Sequence, residues 1–335
     1  MKLKHWKLGL IAALFSGSLY AAPLEVVSSF SILGDVAKQV GGERVNVSNL
    51  VGPDQDAHAY NLTSRDMQRI RNAKLVLVNG LGFEQAAVMR GIRQSGVPFA
   101  EATKNIQPMK AEDHDDDDHD HDHDHGHDHH GHGHDHGHHH HGEFDPHVWN
   151  DPVLMKTYAQ NVADALIKVD PQGRAYYQQR LSGYQARLDA MHQWAQTQFN
   201  SVPQARRKVL TGHDAFNYMG KRYRVEFIAP QGVSTEAEPS ARQVSALIRQ
   251  IRSQGIRAAF SENIKDSRMV ERISRETGIR VNGKLYSDAL SRGAPAATYE
   301  QMFRYNVNAL VNAMKQECLK RHSKGYLKTD FLVFR

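Results

Sequence analysis

The chain's 21 histidines are spread very unevenly over its 335 residues. Neutral imidazole nitrogen is the commonest side-chain ligand for zinc and its neighbours. Fifteen of the histidines fall between Asp113 and Gly142, in DHDDDDHDHDHDHGHDHHGHGHDHGHHHHG, together with ten aspartates and no apolar residue. With His5 assigned to a leader, five stand elsewhere: His58, His147, His192, His213 and His322. His58 lies in the Gly/Pro/Asp-rich VGPDQDAHAYNLTSRD. His147 lies in FDPHVWNDP, where two Asp-Pro pairs hold the backbone in turn or extended forms. His213 follows KVLTG directly, and Asp288 follows the strand pattern IRVNGKLYS in GKLYSDALS. Three imidazoles and one carboxylate suit a tetrahedral zinc site. Spacing alone does not fix that set, because the four are far apart and each by itself reads more readily as a structural residue. His192 sits beside the apolar stripe of a long helix and reads as a flanking residue. His322, in the polar KRHSKGY, has no supporting context, and the single Cys318 reads as packed or incidental.

The elements that must position these residues follow from periodicity. EVVSSF, VNVSNLVG, KLVLVNG and VPFAEAT read as strands, separated by helices over SILGDVAKQVG, SRDMQRIRNA and EQAAVMRGIRQSG. A second set reads RKVLTG, VEFIAP, IRAAFSE and IRVNGKLYS as strands, with helices over DAFNYMGKRY, ARQVSALIRQIRSQG and SRMVERISRETG. Two such alternations predict an α/β fold of two Rossmann-like lobes with mostly parallel sheets. Between them, Tyr177, Leu181, Tyr184, Leu188, Met191, Ala195 and Phe199 recur every three or four residues. That is one face of a single long helix joining the lobes, a stiff strut in place of a soft hinge. Asp170-Pro171 and Pro203 mark its ends. In open α/β sheets ligands bind beyond the carboxyl ends of strands, and the three histidines occupy such loop positions.

The expected organisation is a signal peptide over 1–22, a first lobe over 23–170, the connecting helix over 171–202, a second lobe over 203–318 and a tail of unassigned role over 319–335. Lys2, Lys4 and Lys7, the apolar LGLIAALFSGSLYA and the small Ala21 and Ala22 give the leader its pattern. With no cysteine at its end, the mature protein is expected to be exported, soluble in the periplasm and not a lipoprotein. The formal net charge of +5 hides two opposed parts. Segment 113–142 carries ten aspartates and no Lys or Arg, so the remainder sums to +15, and to +12 without the three leader lysines. The basic residues are scattered singly, which argues against nucleic acid. NGLGFE has Gly-x-Gly after a strand but lacks the third glycine of a dinucleotide loop. Glu236 and Glu238, in STEAEPS, read as ion-pairing residues near a helix cap at Ser240.

DAHAYNLTSRD, NGLGFE, DPHVWNDP, the long helix, TGHDAFNYMGKRY, GVSTEAEPSARQV, ENIKDSRMVERISRETG and LYSDALS, in that order, resemble the periplasmic metal-binding proteins of ABC importers for zinc or manganese. The resemblance runs from about Leu24 to about Gln316. It implies two α/β lobes bridged by one rigid helix, with the metal held in the cleft by His58, His147, His213 and Asp288. It also implies a monomer that captures Zn²⁺ and delivers it to a membrane permease, with periplasmic metallochaperones as further partners, and no enzymatic activity.

Some zinc-specific members carry an acidic residue where this chain has Ala57, and they often lack the LYSDALS aspartate. Manganese-preferring members commonly have a carboxylate where this chain has His213. Three nitrogens and one oxygen favour Zn²⁺ over Mn²⁺, the alternative. A zinc hydrolase fits poorly, because four protein ligands close the position that a catalytic water needs. A zinc buffer or chaperone, with the histidine-rich run as its main site, is the remaining alternative. That run has no apolar content on which to fold and is expected to form a disordered loop over 112–143. Its His114, His119, His121, His123, His125, His127, His129, His130, His132, His134, His136, His138, His139, His140 and His141 are expected to be accessory, low-affinity metal ligands at the cleft mouth.

Overall fold

The computed structural model describes residues 22–111, 143–256 and 258–325, the last ten of these by backbone alone. The expected signal peptide, up to residue 21, the histidine-rich run and the end of the tail lie outside the described residues. So do the side chains of Cys318 and His322.

The first lobe is built from β1 (Leu24–Phe30), α1 (Ser31–Gly41), β2 (Val45–Val51), α2 (Ser64–Asn72), β3 (Leu75–Val78), α3 (Ala86–Gln94) and β4 (Phe99–Glu101). Its four strands are parallel in the order β2-β1-β3-β4, with Val26 beside Val47 on one edge and Leu75 on the other. α4 (Leu154–Val169) and α5 (Arg174–Asn200) follow. The second lobe has β5 (Lys208–Leu210), α6 (Asn217–Tyr223), β6 (Glu226–Ile228), α7 (Ala241–Gln254), β7 (Ala258–Glu262), α8 (Arg268–Thr277) and β8 (Arg280–Leu285). Its sheet repeats the pattern, all parallel, as β6-β5-β7-β8. α9 (Tyr299–Gly325) closes the described chain. The fold is the two-lobed parallel α/β architecture that the sequence predicts.

In each sheet the first strand is central and the chain leaves it in opposite directions, so a crevice opens beyond β1 and β3 and beyond β5 and β7. Both faces of each sheet are covered, which is why the strands read as nearly unbroken apolar runs. Val27, Val76 and Val78 pack outward with Ile70, Val88 and Ile92 of α2 and α3. Leu210 and Ala259 pack outward with Val244, Ile248, Ile251, Val270 and Ile273 of α7 and α8. The alternate residues Val26, Leu75, Leu77, Val209, Ala258 and Phe260 face inward and join a single core shared by both lobes.

α5 runs through that core. The residues buried along it are Tyr177, Leu181, Tyr184, Leu188, Met191, Ala195 and Phe199, the stripe read from the sequence. It packs on α1, α4, α6 and α9. α9 returns from the second lobe to lie on α1 as well as α5 and β8, so two long helices tie the lobes together. α4 adds a helix beyond those the periodicity predicts; its buried Tyr158, Val162 and Leu166 complete the packing between the first sheet and α5. Helix α6 begins only at Asn217, three residues later than DAFNYMGKRY suggests. The intervening His213 to Phe216 keep a non-helical course that turns the histidine into the crevice.

Candidate metal centre

His58 reaches the cleft from the loop between β2 and α2, and His147 from the segment before a short 3-10 turn at Val148–Asn150. His213 stands three residues beyond β5, and Asp288 three beyond β8. Each lobe thus supplies two of the four; His58, His213 and Asp288 come from segments that follow β2, β5 and β8.

All four are buried: His58 5%, His213 1%, and His147 and Asp288 0% exposed. One ligand-type atom from each lies within 4.8 Å of all the others. Nε2 of His58 and of His213 are each 3.2 Å from Asp288 Oδ2, and Nε2 of His147 is 3.4 Å from Oδ1. None of these approaches is aligned as a hydrogen bond, so three nitrogens and two oxygens converge at ion-pair distance with no donor or acceptor formally satisfied. Burying such groups unpaired is costly, and convergence of this kind is how a cation is held.

The surrounding residues fix the rings. His147 Nδ1 lies 2.7 Å from Asp145 Oδ1, which also accepts the His147 backbone N–H at 2.9 Å. His213 Nδ1 lies 2.6 Å from Glu262 Oε2, while Glu262 Oε1 accepts the backbone N–H groups of Gly212 and His213 at 2.7 and 3.0 Å. With Nδ1 held against a carboxylate, each ring turns its Nε2 inward, toward the other ligand atoms. Asp145 carries a second role beyond the turn its Asp-Pro pair announces. Glu262, the last residue of β7, was missed from sequence because nothing local links it to a histidine 49 residues earlier.

Burial disfavours the charged His147 ring, but the Asp288 and Asp145 carboxylates outweigh it and raise its pKa to about 9. Burial and the Glu262 and Asp288 carboxylates act in the same opposed way on His213, with the charges winning, and its pKa stands well above the ordinary value. Burial would raise the Asp288 and Glu262 carboxyls, yet the adjacent imidazoles hold both below their usual range. Opposite charges confined in a dry site attract more strongly than in water.

Across the cleft, Thr235 Oγ1 donates to Asp56 Oδ2 at 2.6 Å, and Asp56 Oδ1 accepts the His58 backbone N–H at 2.9 Å. Trp149 Nε1 donates to the Ser287 carbonyl at 2.8 Å, one residue before Asp288. Phe83 packs edge-on to His58, with ring centroids 5.0 Å apart. A cleft of about 740 Å³ leads to His58 past Leu81, Phe83, Phe144 and Val233.

The other sequence features resolve simply. NGLGFE forms a loop in which Glu84 accepts the backbone N–H groups of Asn79 and Gly80 at 2.6 and 3.1 Å. His192 is half-buried, its Nδ1 3.1 Å from the Tyr223 hydroxyl. Glu238 pairs with Lys265 at 3.3 Å, Glu236 accepts from Gln85, and Ser240 caps α7 through a capping box with Gln243.

The family described as the periplasmic component A of the zinc-uptake complex, ZnuA, matches residues 26–313. The chain belongs to this family. The metal ABC transporter substrate-binding lipoprotein SloC of Streptococcus mutans is 25% identical over 294 residues, covering 88% of this chain and 90% of its own length. The manganese-binding lipoprotein MntA of Halalkalibacterium halodurans is 26% identical over 294 residues, covering 88% and 89%. Among solved structures, the periplasmic zinc-binding protein TroA from Treponema pallidum matches with a TM-score of 0.75 at 28% identity, over 87% of this chain and 99% of that one. This member of the ZnuA family is therefore a metal-binding, substrate-binding component of an ABC transporter and not an enzyme. Such components work with a membrane permease and an ATPase.

One expectation falls with these relatives. A soluble periplasmic protein that is not a lipoprotein was inferred from the lack of a cysteine after the leader, yet SloC, SsaB, scaA and MntA are all named lipoproteins. The lack of a thiol at one position excludes no other means of holding a chain at a membrane, so it does not carry a location. Among the described residues no helix is long and apolar enough to cross a membrane.

Proposed function

We propose that the cleft binds Zn²⁺ through His58 Nε2, His147 Nε2, His213 Nε2 and the Asp288 carboxylate, and presents it to the permease of an ABC importer. The observation that carries this reading is the convergence of those buried atoms within 4.8 Å. Three imidazoles and one carboxylate match zinc's usual tetrahedral donors, while manganese prefers more oxygen. Because each lobe gives two ligands, a bound ion ties the lobes together, and release requires a ligand to move. The histidine-rich run is an accessory in this reading: its His, Asp and Gly composition offers no apolar residue on which to preform a site, so it should hold metal more weakly than a preformed cleft.

A manganese cargo is the second reading, favoured by relatives such as MntA and scaA that are named manganese-binding or manganese transporter proteins. Competitive titration of both metals into protein lacking 113–142 separates the two. Zinc should bind one tight site and outcompete manganese, and His58→Ala or Asp288→Ala should weaken it more than about 100-fold, beyond the usual effect of an outer partner. Manganese winning that competition would overturn the zinc assignment. Loss of all tight binding on deletion of 113–142 would overturn the cleft.

A further inference from the structure

We propose that Glu262 is a positioning residue that sets the site's preference for zinc over manganese, a role resting on the ligand set proposed above. Its side chain is buried at the end of β7, and both carboxylate oxygens meet donors of the Gly212–His213 segment. Oε1 accepts two backbone N–H groups, from Gly212 at 2.7 Å and His213 at 3.0 Å, and Oε2 holds His213 Nδ1 at 2.6 Å. Three donors met by two acceptor oxygens require a carboxylate, since an amide has one acceptor oxygen and would turn an N–H₂ toward a donor.

Gly212 is part of the same device. A Cβ there would lie 2.8 Å from Glu262 Oε1, so the glycine lets the carboxylate close on the backbone. The ring of His213 is thereby fixed in plane and in tautomer, its Nε2 3.2 Å from Asp288 Oδ2. A nitrogen ligand that cannot swing aside keeps the site small and nitrogen-rich. It also denies manganese the extra oxygen ligands that ion prefers. Asp145 holds His147 from two residues away in its own turn, whereas Glu262 comes from a different strand and is the longer-range constraint.

The test is competitive zinc and manganese titration of the full chain as wild type, Glu262→Gln, Gly212→Ala and Asp288→Ala, with cobalt(II) absorption spectra of each. Glu262→Gln should weaken zinc by about 10- to 100-fold and manganese less, so the preference ratio falls. Gly212→Ala keeps the carboxylate but displaces it, and should shift the ratio and the cobalt bands in the same direction. It also serves if Glu262→Gln does not fold. An unchanged ratio with unchanged cobalt bands, or equal weakening of both metals with unchanged bands, would overturn the role. If Asp288→Ala loses tight binding while the ratio holds in the other two variants, only the positioning role fails. If Asp288→Ala binds as wild type, the ligand set fails and the role falls with it.

Discussion

His147 shows what the proposed site asks of protons. In the metal-free cleft the Asp288 and Asp145 carboxylates overcome burial and hold its pKa at about 9. A proton on Nε2 and a metal on Nε2 exclude each other, so loading at pH 7 must expel it. Calorimetry in two buffers of different ionisation enthalpy should count at least one proton released per zinc at pH 7, and none would refute the protonated metal-free ring. Apparent affinity should rise with pH until about 9 and fall below it. The stability of the metal-free protein has the opposite trend. A pKa raised from 6.5 to about 9 on folding stabilises fully below 6.5, and that contribution is lost as pH rises through 9. Thermal unfolding of metal-free and zinc-loaded protein across that range should therefore diverge.

Among the elements, α2 anchors the loop that carries His58. Thr63 caps it in a capping box with Asp66, whose Oδ2 accepts from Thr63 N at 2.8 Å and from Tyr60 OH at 2.7 Å, while Oδ1 pairs with Arg69. Burial opposes the Asp66 charge, but these partners prevail and lower its pKa to about 2. A depressed pKa stabilises above the unfolded value of 3.8, and the contribution is lost as pH falls through 2. Asp66→Asn should cost about 2 kcal/mol at neutral pH. It should also flatten the acid unfolding curve between about pH 4 and 2. A midpoint in urea unchanged from wild type would contradict this. The box joins Thr63 to an acid three residues later and so is a local feature of the chain. The Tyr60 contact depends on loop conformation instead.

At the scale of the whole molecule, the inner faces of both sheets, α5 and α9 form one core. Cores that are continuous unfold together, so calorimetry should show a single transition for the two lobes; two resolved transitions would show them to be independent. Leu188, fully buried in the middle of α5, touches that shared core. Leu188→Ala should cost about 2–5 kcal/mol and lower the single transition without splitting it. Removing metal with a chelator should lower it too, by about 2.7 kcal/mol relative to protein in metal at 100 times its dissociation constant. With α5 and α9 as struts, scattering profiles with and without metal should differ little, and a wide opening would contradict the shared core.

The sequence by itself determined the two βα sets and the buried stripe of α5, and marked His58, His147, His213 and Asp288 as loop candidates that the family resemblance joined into one set. Those signals are local. Periodicity follows from the geometry of a single helix or strand, and Asp-Pro turns or strand ends mark where a side chain can leave the fold. Only the tertiary structure decided that Glu262 holds His213, that Thr235 reaches Asp56, and that Trp149 grips the Ser287 carbonyl. These contacts join residues 49, 179 and 138 positions apart. No spacing rule encodes such distances, because they are set by how two sheets pack against a shared pair of helices.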